Sequence, residues 1–311
     1  MTNDLRQRVK DQLDQKLFTQ SELAKAIGVS VSRVSSWLSG KYAGRNDVLE
    51  DLVEEFLSKR AAIHRETSML KRDFDFVETE NYALAYDGIS VAEARGEFRL
   101  MIGASGVGKT MALERIHEQK RTSVLIRAYR GITTRGFMTR FCTELGLEPL
   151  HSFGLMFEEI ISEMESTNRL VLVDEAEHLP IEAMDALRSF TDFTGCSVIL
   201  CGLPMLLNML RSSTKYTYIY NRTSLTIHMN LLSETDVAQL VATMVDTPVE
   251  AAFWFKACRG IGRDLRMIVQ ESLRLAELRG IDTHTEPERF KTIINGVVNL
   301  LGRNQKPKQS V

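Results

Sequence analysis

Eight consecutive residues, Gly103-Ala104-Ser105-Gly106-Val107-Gly108-Lys109-Thr110, set three glycines, a lysine and a hydroxyl at the spacing G-x-x-x-x-G-K-[ST]. Glycines at 103, 106 and 108 let the backbone curl so that successive N–H groups face one point, and a helix starting there adds its partial positive charge. Such a loop binds phosphate. Lys109 is placed to reach β- and γ-phosphates and Thr110 to ligate Mg²⁺, so residues 103 to 110, with Met111 behind them, are the candidate ATP-binding segment.

The second chemical feature is Leu170-Val171-Leu172-Val173-Asp174-Glu175. Four apolar residues ending in two carboxylates make a poor buried strand end unless a cation sits there, and Mg²⁺ fits. Asp174 is then the metal residue and Glu175 the base that polarises an attacking water, which makes hydrolysis the expected chemistry. A glutamate directly after the aspartate marks the NTPases with an extra strand between the two motifs, and the run Ser123 to Ala128 is expected to supply it. The sequence Asp174-Glu175-Ala176-Glu177-His178 invites comparison with DEAH helicases, but those need a second motor domain, and the chain turns helical after Asn230. A zinc site at His178 lacks a second spaced histidine.

These residues need strands and helices to hold them. Strand-like apolar runs fall at Phe98 to Ile102, Ser123 to Ala128, Leu170 to Val173, Ser197 to Cys201 and Leu225 to Met229. Helical patterns lie between them at Thr110 to Lys120, Thr134 to Leu145, Phe153 to Ser166 and Ile181 to Phe193. Fully apolar strands alternating with helices predict an α/β fold, a parallel sheet covered on both faces. Four helical patterns follow, from Glu234, Val249, Leu265 and Glu286. Ahead of the sheet lie short helices and an amphipathic helix from Asp47 to Ala62 with Val48, Leu52, Phe56 and Ile63 on one side, then a charged, weakly patterned stretch from His64 to Asp75 read as a linker. The resulting division is an all-α block at 1–66, the sheet domain at 67–230, a small helical domain at 231–303 and a basic tail at 304–311.

The 311 residues carry 39 Lys/Arg and 41 Asp/Glu, a formal charge of −2, so the surface as a whole is no polycation. By segment the balance is +1 over 1–66, +5 over 256–311 and −8 between them. Cys142, Cys196, Cys201 and Cys258 show no C-x-x-C spacing and read as free thiols of a reducing compartment. A polar N-terminus and the lack of an 18-residue apolar run argue against secretion and membrane spanning.

Within the first block, Gln20 to Leu38 has the spacing of a helix-turn-helix: Ala24 for close helix contact, Gly28 for the turn, Val34 for the second helix, and Ser30 to cap it. From residue 16 to 45 there are five cations and one acid, Glu22. Arg33, Ser35 and Lys41 are the candidate DNA contacts, of a type suited to phosphate more than to base edges. A second basic run, Lys120 to Arg140, holds six cations and no acid.

Taken together, the helix-turn-helix, Phe76-Val77-Glu78-Thr79, the phosphate loop, Val173-Asp174-Glu175-Ala176-Glu177-His178 and, late in the chain, Asp264-Leu265-Arg266 and Ser272-Leu273-Arg274-Leu275-Ala276 resemble the AAA+ ATPases. The branch they are most similar to is the target-selection B proteins of Mu-type transposition. The resemblance implies an AAA+ P-loop core with a helical lid, Arg266 contacting the γ-phosphate from the lid, and Arg222 acting as an arginine finger on a neighbouring subunit. A guanidinium fork suits charge spread over phosphoryl oxygens. It also implies that Arg130, Thr133, Thr134 and Arg135 face double-stranded DNA inside an ATP-bound ring or filament that delivers target DNA to a transposase, in the cytoplasm of a bacterial host. One departure is the polar sensor residue expected at the end of the fourth strand, where Cys201 or Leu203 stands, which suits slow hydrolysis. The alternatives are a helix-turn-helix transcription regulator that oligomerises with ATP and a replicative helicase loader; the first predicts sequence-specific sites, the second a helicase partner and single-stranded DNA.

Overall fold

The computed structural model describes residues 2–14, 18–70, 74–167, 169–212 and 216–302. Contacts within the chain separate it into two units, Met1–Arg72 and Asp73–Val311. Lys16, in the first basic stretch, and the tail at 304–311 lie outside the described residues.

The first unit comprises α1 (Thr2–Asp14), α2 (Gln20–Ala26), α3 (Val31–Leu38) and α4 (Asn46–Leu70). Thr19 and Glu22 form a reciprocal capping box at the start of α2, each side chain bonding the other's backbone N–H. Gly28 takes φ +72° in the turn, and the Ser30 hydroxyl accepts the Arg33 N–H to cap α3, as the spacing predicts. Val34, Trp37 and Leu38 bury against Leu23 and Ala24. The long helix departs from expectation in two ways. Over residues 46–60 its buried residues are Leu49, Val53 and Leu57; of the stripe expected, Phe56 packs half-buried against this core, Val48 is 43% exposed, and the Ile63 side chain lies outside the described residues. It also continues through Leu70, across the stretch read as a linker and past the boundary placed at residue 66. Weak patterning does not end a helix; a breaker does, and no Gly or Pro occurs between Asn46 and Leu70.

The second unit opens with α5 (Glu80–Arg95), a helix not anticipated, capped by Thr79 and closed by Gly96 at φ +63°. Next come β1 (Phe98–Gly103), α6 (Lys109–Gln119), β2 (Ser123–Arg127), α7 (Thr134–Leu145), α8 (Phe153–Thr167), β3 (Leu170–Asp174), a single 3₁₀ turn, α9 (Ile181–Thr194), β4 (Val198–Gly202), α10 (Pro204–Ser212), α11 (Thr217–Tyr220) and β5 (Thr226–Met229). The five strands form one sheet in the order β2-β3-β4-β1-β5, and every pairing is parallel. The strand inserted between the two motif-bearing strands is therefore β4, with Val198 in register with both Phe98 and Val171. The run from Ser123 expected there forms β2 at the sheet's edge instead, because order along the chain does not set order across a doubly wound sheet.

Alternate strand residues divide between two apolar layers. Leu100, Ile102, Val171, Val173 and Leu200 meet α7, α8 and α9. Met101, Leu170, Leu172, Ile199 and Cys201 meet α5 and α6. Both faces of the sheet are thus covered, which is what fully apolar parallel strands require. The helices after β5 are α12 (Glu234–Ala242), α13 (Ala251–Cys258), α14 (Gly262–Leu278) and α15 (Pro287–Leu300), with a core of their own around Trp254, Leu265, Ile268, Phe290 and Ile294. All four cysteines are buried free thiols. Among the described residues no helix is long and apolar enough to cross a membrane.

Candidate functional site

The wholly buried strand β1 delivers Gly103 to the C-terminal edge of the sheet, the end where open parallel sheets bind ligands. Gly106 and Gly108 then adopt φ +83° and +98°, values an L side chain resists, and curl the chain into α6. Lys109 Nζ donates to the carbonyls of Gly103 and Ala104, both at 2.8 Å, so the ammonium lies across the mouth of the loop. No side chain caps α6, which leaves its first N–H groups for an anion. Met111 is exposed on the outer side of the same turn.

Asp174 ends β3 with 2% exposure. Its Oδ2 accepts the Thr110 hydroxyl at 2.7 Å and its Oδ1 accepts the Glu175 N–H at 2.9 Å. A hydroxyl and a buried carboxylate in contact are hard oxygen donors suited to Mg²⁺, which takes one or two protein ligands and completes its shell with phosphate and water. Among the described residues no group of three or more His, Cys, Asp or Glu could hold a metal. Glu175 has φ +54°, a conformation that costs a non-glycine residue about 1–2 kcal/mol. The kink breaks the strand's alternation and leaves the glutamate side chain half exposed at the cleft, 3.9 Å from His178 Nε2.

These groups line a cleft of about 620 Å³ between the sheet edge, the segment before α5 and the last helices. Arg266 lines it, and so does Arg263, whose side chain donates to Ser105 Oγ at 3.1 Å and whose N–H bonds the Gly106 carbonyl. Asn81 is buried at the base: its amide donates to the carbonyls of Val107 and Asn230 and its oxygen accepts the Asn230 N–H. Asp236 accepts the N–H of Ser233 and of Glu80, capping α12 and α5 at once. Sequence reasoning passed over Arg263, Asn81 and Asp236. Only the last carried a signal, the Ser233-x-x-Asp236 spacing of a capping box. Cys201 is buried behind Asp174, where burial and then the carboxylate's charge push its thiol well above the usual range. Leu203, the other candidate for the sensor slot, donates its N–H to Glu177 Oε2 at 3.3 Å, so the polar group presented there comes from Glu177.

The remaining candidates lie outside the cleft. Arg222 is exposed on the surface and paired with Asp192, which also accepts from Arg188 at 2.5 Å. In the basic run that spans β2, Lys120 is bonded to Glu93 and Arg127 to Glu114 and Asp174, so the six cations are not one free face. Arg130 and Arg135 are exposed without an ion-pair partner among the described residues, and Thr133 caps α7 by accepting the Gly136 N–H, with Thr134 beside it. In the first unit Arg33, Ser35 and Lys41 are exposed, with Arg33 lying over the Tyr42 ring.

A phosphate loop at the end of β1, a carboxylate pair at the end of β3 and an intervening β4, with helices closing the cleft, give the second unit an AAA-type P-loop fold. The comparisons agree: residues 94–210 match the AAA domain model and residues 9–56 the helix-turn-helix model. The Aeropyrum pernix ORC2 protein shares the fold with a TM-score of 0.55 at 14% identity, over 74% of this chain and 70% of that one. Within that class the chain is similar to the Mu-type transposition B proteins. It is 24% identical to the Mu-like prophage FluMu DNA transposition protein B of Haemophilus influenzae over 85% of this chain and 93% of that protein. It is 25% identical to the ATP-dependent target DNA activator B of Escherichia phage Mu over 64% of each chain.

Proposed function

We propose that this protein is an ATP-dependent DNA-binding protein that assembles on duplex DNA with little sequence preference and delivers it as target to a transposase. The observation that carries the proposal is the Thr110–Asp174 contact at the mouth of the phosphate loop, with Arg130 and Arg135 only a few residues beyond the strand that flanks Asp174. Residues 103 to 111 hold the ATP phosphates, with Lys109 on the β- and γ-oxygens. Thr110 and Asp174 hold Mg²⁺, which when bound offsets phosphate charge. Glu175 orients and deprotonates the attacking water, and Arg266 reads the γ-phosphate from the lid. Arg222 serves a neighbouring subunit, exchanging Asp192 for phosphate. Arg130, Thr133, Thr134 and Arg135 contact the DNA backbone, joined by Arg33, Ser35 and Lys41 from the helix-turn-helix.

Support comes from the relatives, one named a DNA transposition protein and another an ATP-dependent target DNA activator. Electron microscopy of the purified full chain with ATP and random-sequence duplex tests the proposal. Rings or filaments threaded by duplex are expected with ATP and not without it. Isolated dimers seated on one sequence would refute it in favour of a transcription regulator.

A further inference from the structure

Asp174 Oδ2 faces two neighbours, a hydroxyl and a guanidinium. It is the carboxylate oxygen that touches the Thr110 hydroxyl, and it lies 3.4 Å from Arg127 Nε. The arginine reaches it because Arg127 is the last residue of β2 and stands in register with Asp174 across the β2–β3 pair, a placement fixed further by the bond from Ala128 N–H to the Asp174 carbonyl. The other end of the same guanidinium has a second seat, Glu114 Oε1 on α6 at 3.0 Å. Arg127 lines the nucleotide cleft and is about half exposed, so the side chain has room to turn.

We infer that Arg127 competes with Mg²⁺ for Asp174, yielding the carboxylate to the metal by settling on Glu114. The inference rests on the nucleotide reading above and deepens it. Mg²⁺ takes a near-octahedral shell at about 2.1 Å, and a guanidinium charge on the same carboxylate weakens that carboxylate's hold on the cation. An arginine serving only to fasten β2 to β3 could do so from any strand position. This one sits on the single carboxylate that the metal needs, with an acid on the neighbouring helix ready to receive it. The arrangement sets how much free Mg²⁺ the site requires. It also places that threshold three residues from Arg130, where DNA contact is proposed.

The test is a titration of MgCl₂ into the full chain with mant-ATP, reading the Mg²⁺ midpoint of nucleotide binding by fluorescence. Arg127→Gln removes the rival cation and lowers the midpoint about fivefold, the scale of one partly exposed charge pair; a midpoint unchanged or raised overturns the inference. If that variant does not fold, Glu114→Gln on the exposed side of α6 carries the test. Loss of the alternative seat raises the midpoint, and an unchanged or lowered value overturns the inference. Failure of the wild-type chain to show saturable, Mg²⁺-dependent mant-ATP binding sinks the nucleotide reading itself, whereas normal wild-type binding with an unmoved midpoint in the variants sinks only the competition.

Discussion

Replacing Arg130 and Arg135 together by alanine isolates the DNA contact proposed for the ATPase domain. Both side chains are exposed and without an ion-pair partner among the described residues, so their removal leaves the fold and the nucleotide site in place. Each arginine that neutralises one phosphate contributes about 0.9 to the slope of log K against log salt, so the double variant loses about 1.8. Over a fourfold rise in salt, the variant's affinity then falls roughly tenfold less than that of the wild type. Fluorescence anisotropy on a labelled random duplex, with ATP present and NaCl stepped, gives both slopes directly. Lys120→Ala is the internal control: it belongs to the same basic run but is bonded to Glu93 at 2.5 Å, and it should leave the slope alone. An unchanged slope in a double variant that still binds ATP refutes the reasoning, as does an equal loss in the control.

Two further outcomes concern the scaffold. Glu97 is partly buried, which opposes its ionisation, yet bonds from Ser224 and Arg99, with the charges of Arg99 and Arg95, hold its carboxyl below the usual glutamate range. A depressed carboxylate stabilises above its unfolded value and loses that stabilisation as pH falls through the folded one; Glu97→Gln should therefore show a shallower loss of stability below about pH 4.5 in urea melts, and an identical acid limb rejects the assignment. Gly96 closes α5 at φ +63°, and an added Cβ would stand 2.3 Å from the Gly195 carbonyl oxygen. Strain and clash together predict that Gly96→Ala destabilises the ATPase unit by about 2–4 kcal/mol, measured by urea denaturation; a loss under about 0.5 kcal/mol contradicts the geometry.

What the sequence disclosed follows from where its information is local. The five strands and the helices α6 to α9 announce themselves through local apolar patterning, and the phosphate loop does so because glycine positions dictate its curl, whereas α10 and α11 were not anticipated. The position of β4 between β3 and β1 was not legible, since sheet order is settled by packing of distant segments. The extension of α4 to Leu70 was missed for the opposite reason: its last turns carry no apolar stripe, and only the lack of a breaker speaks for them. In the site, Lys109, Thr110 and Asp174 are a motif and were found as one. Arg127 and Asn81 act through partners 47 and 149 residues away in the chain, and no spacing rule reports such pairs. Arg266, read from Asp264-Leu265-Arg266, lines the cleft, while Arg263 and its bond to Ser105 lay outside that reading.

The junction at the head of α5 bears on which substitutions the protein tolerates. Asn81 and Asp236 join the phosphate loop, the end of the sheet and the first lid helix, and every group they hold there is a backbone atom: the carbonyls of Val107 and Asn230 and the N–H groups of Asn230, Glu80 and Ser233. Residues 80, 107, 230 and 233 can therefore vary without erasing these bonds. Alongside the Arg263 bonds to Ser105 and Gly106, two side chains, one amide and one carboxylate, keep loop and lid in step. Drift among homologues should consequently be free around them and arrested at them.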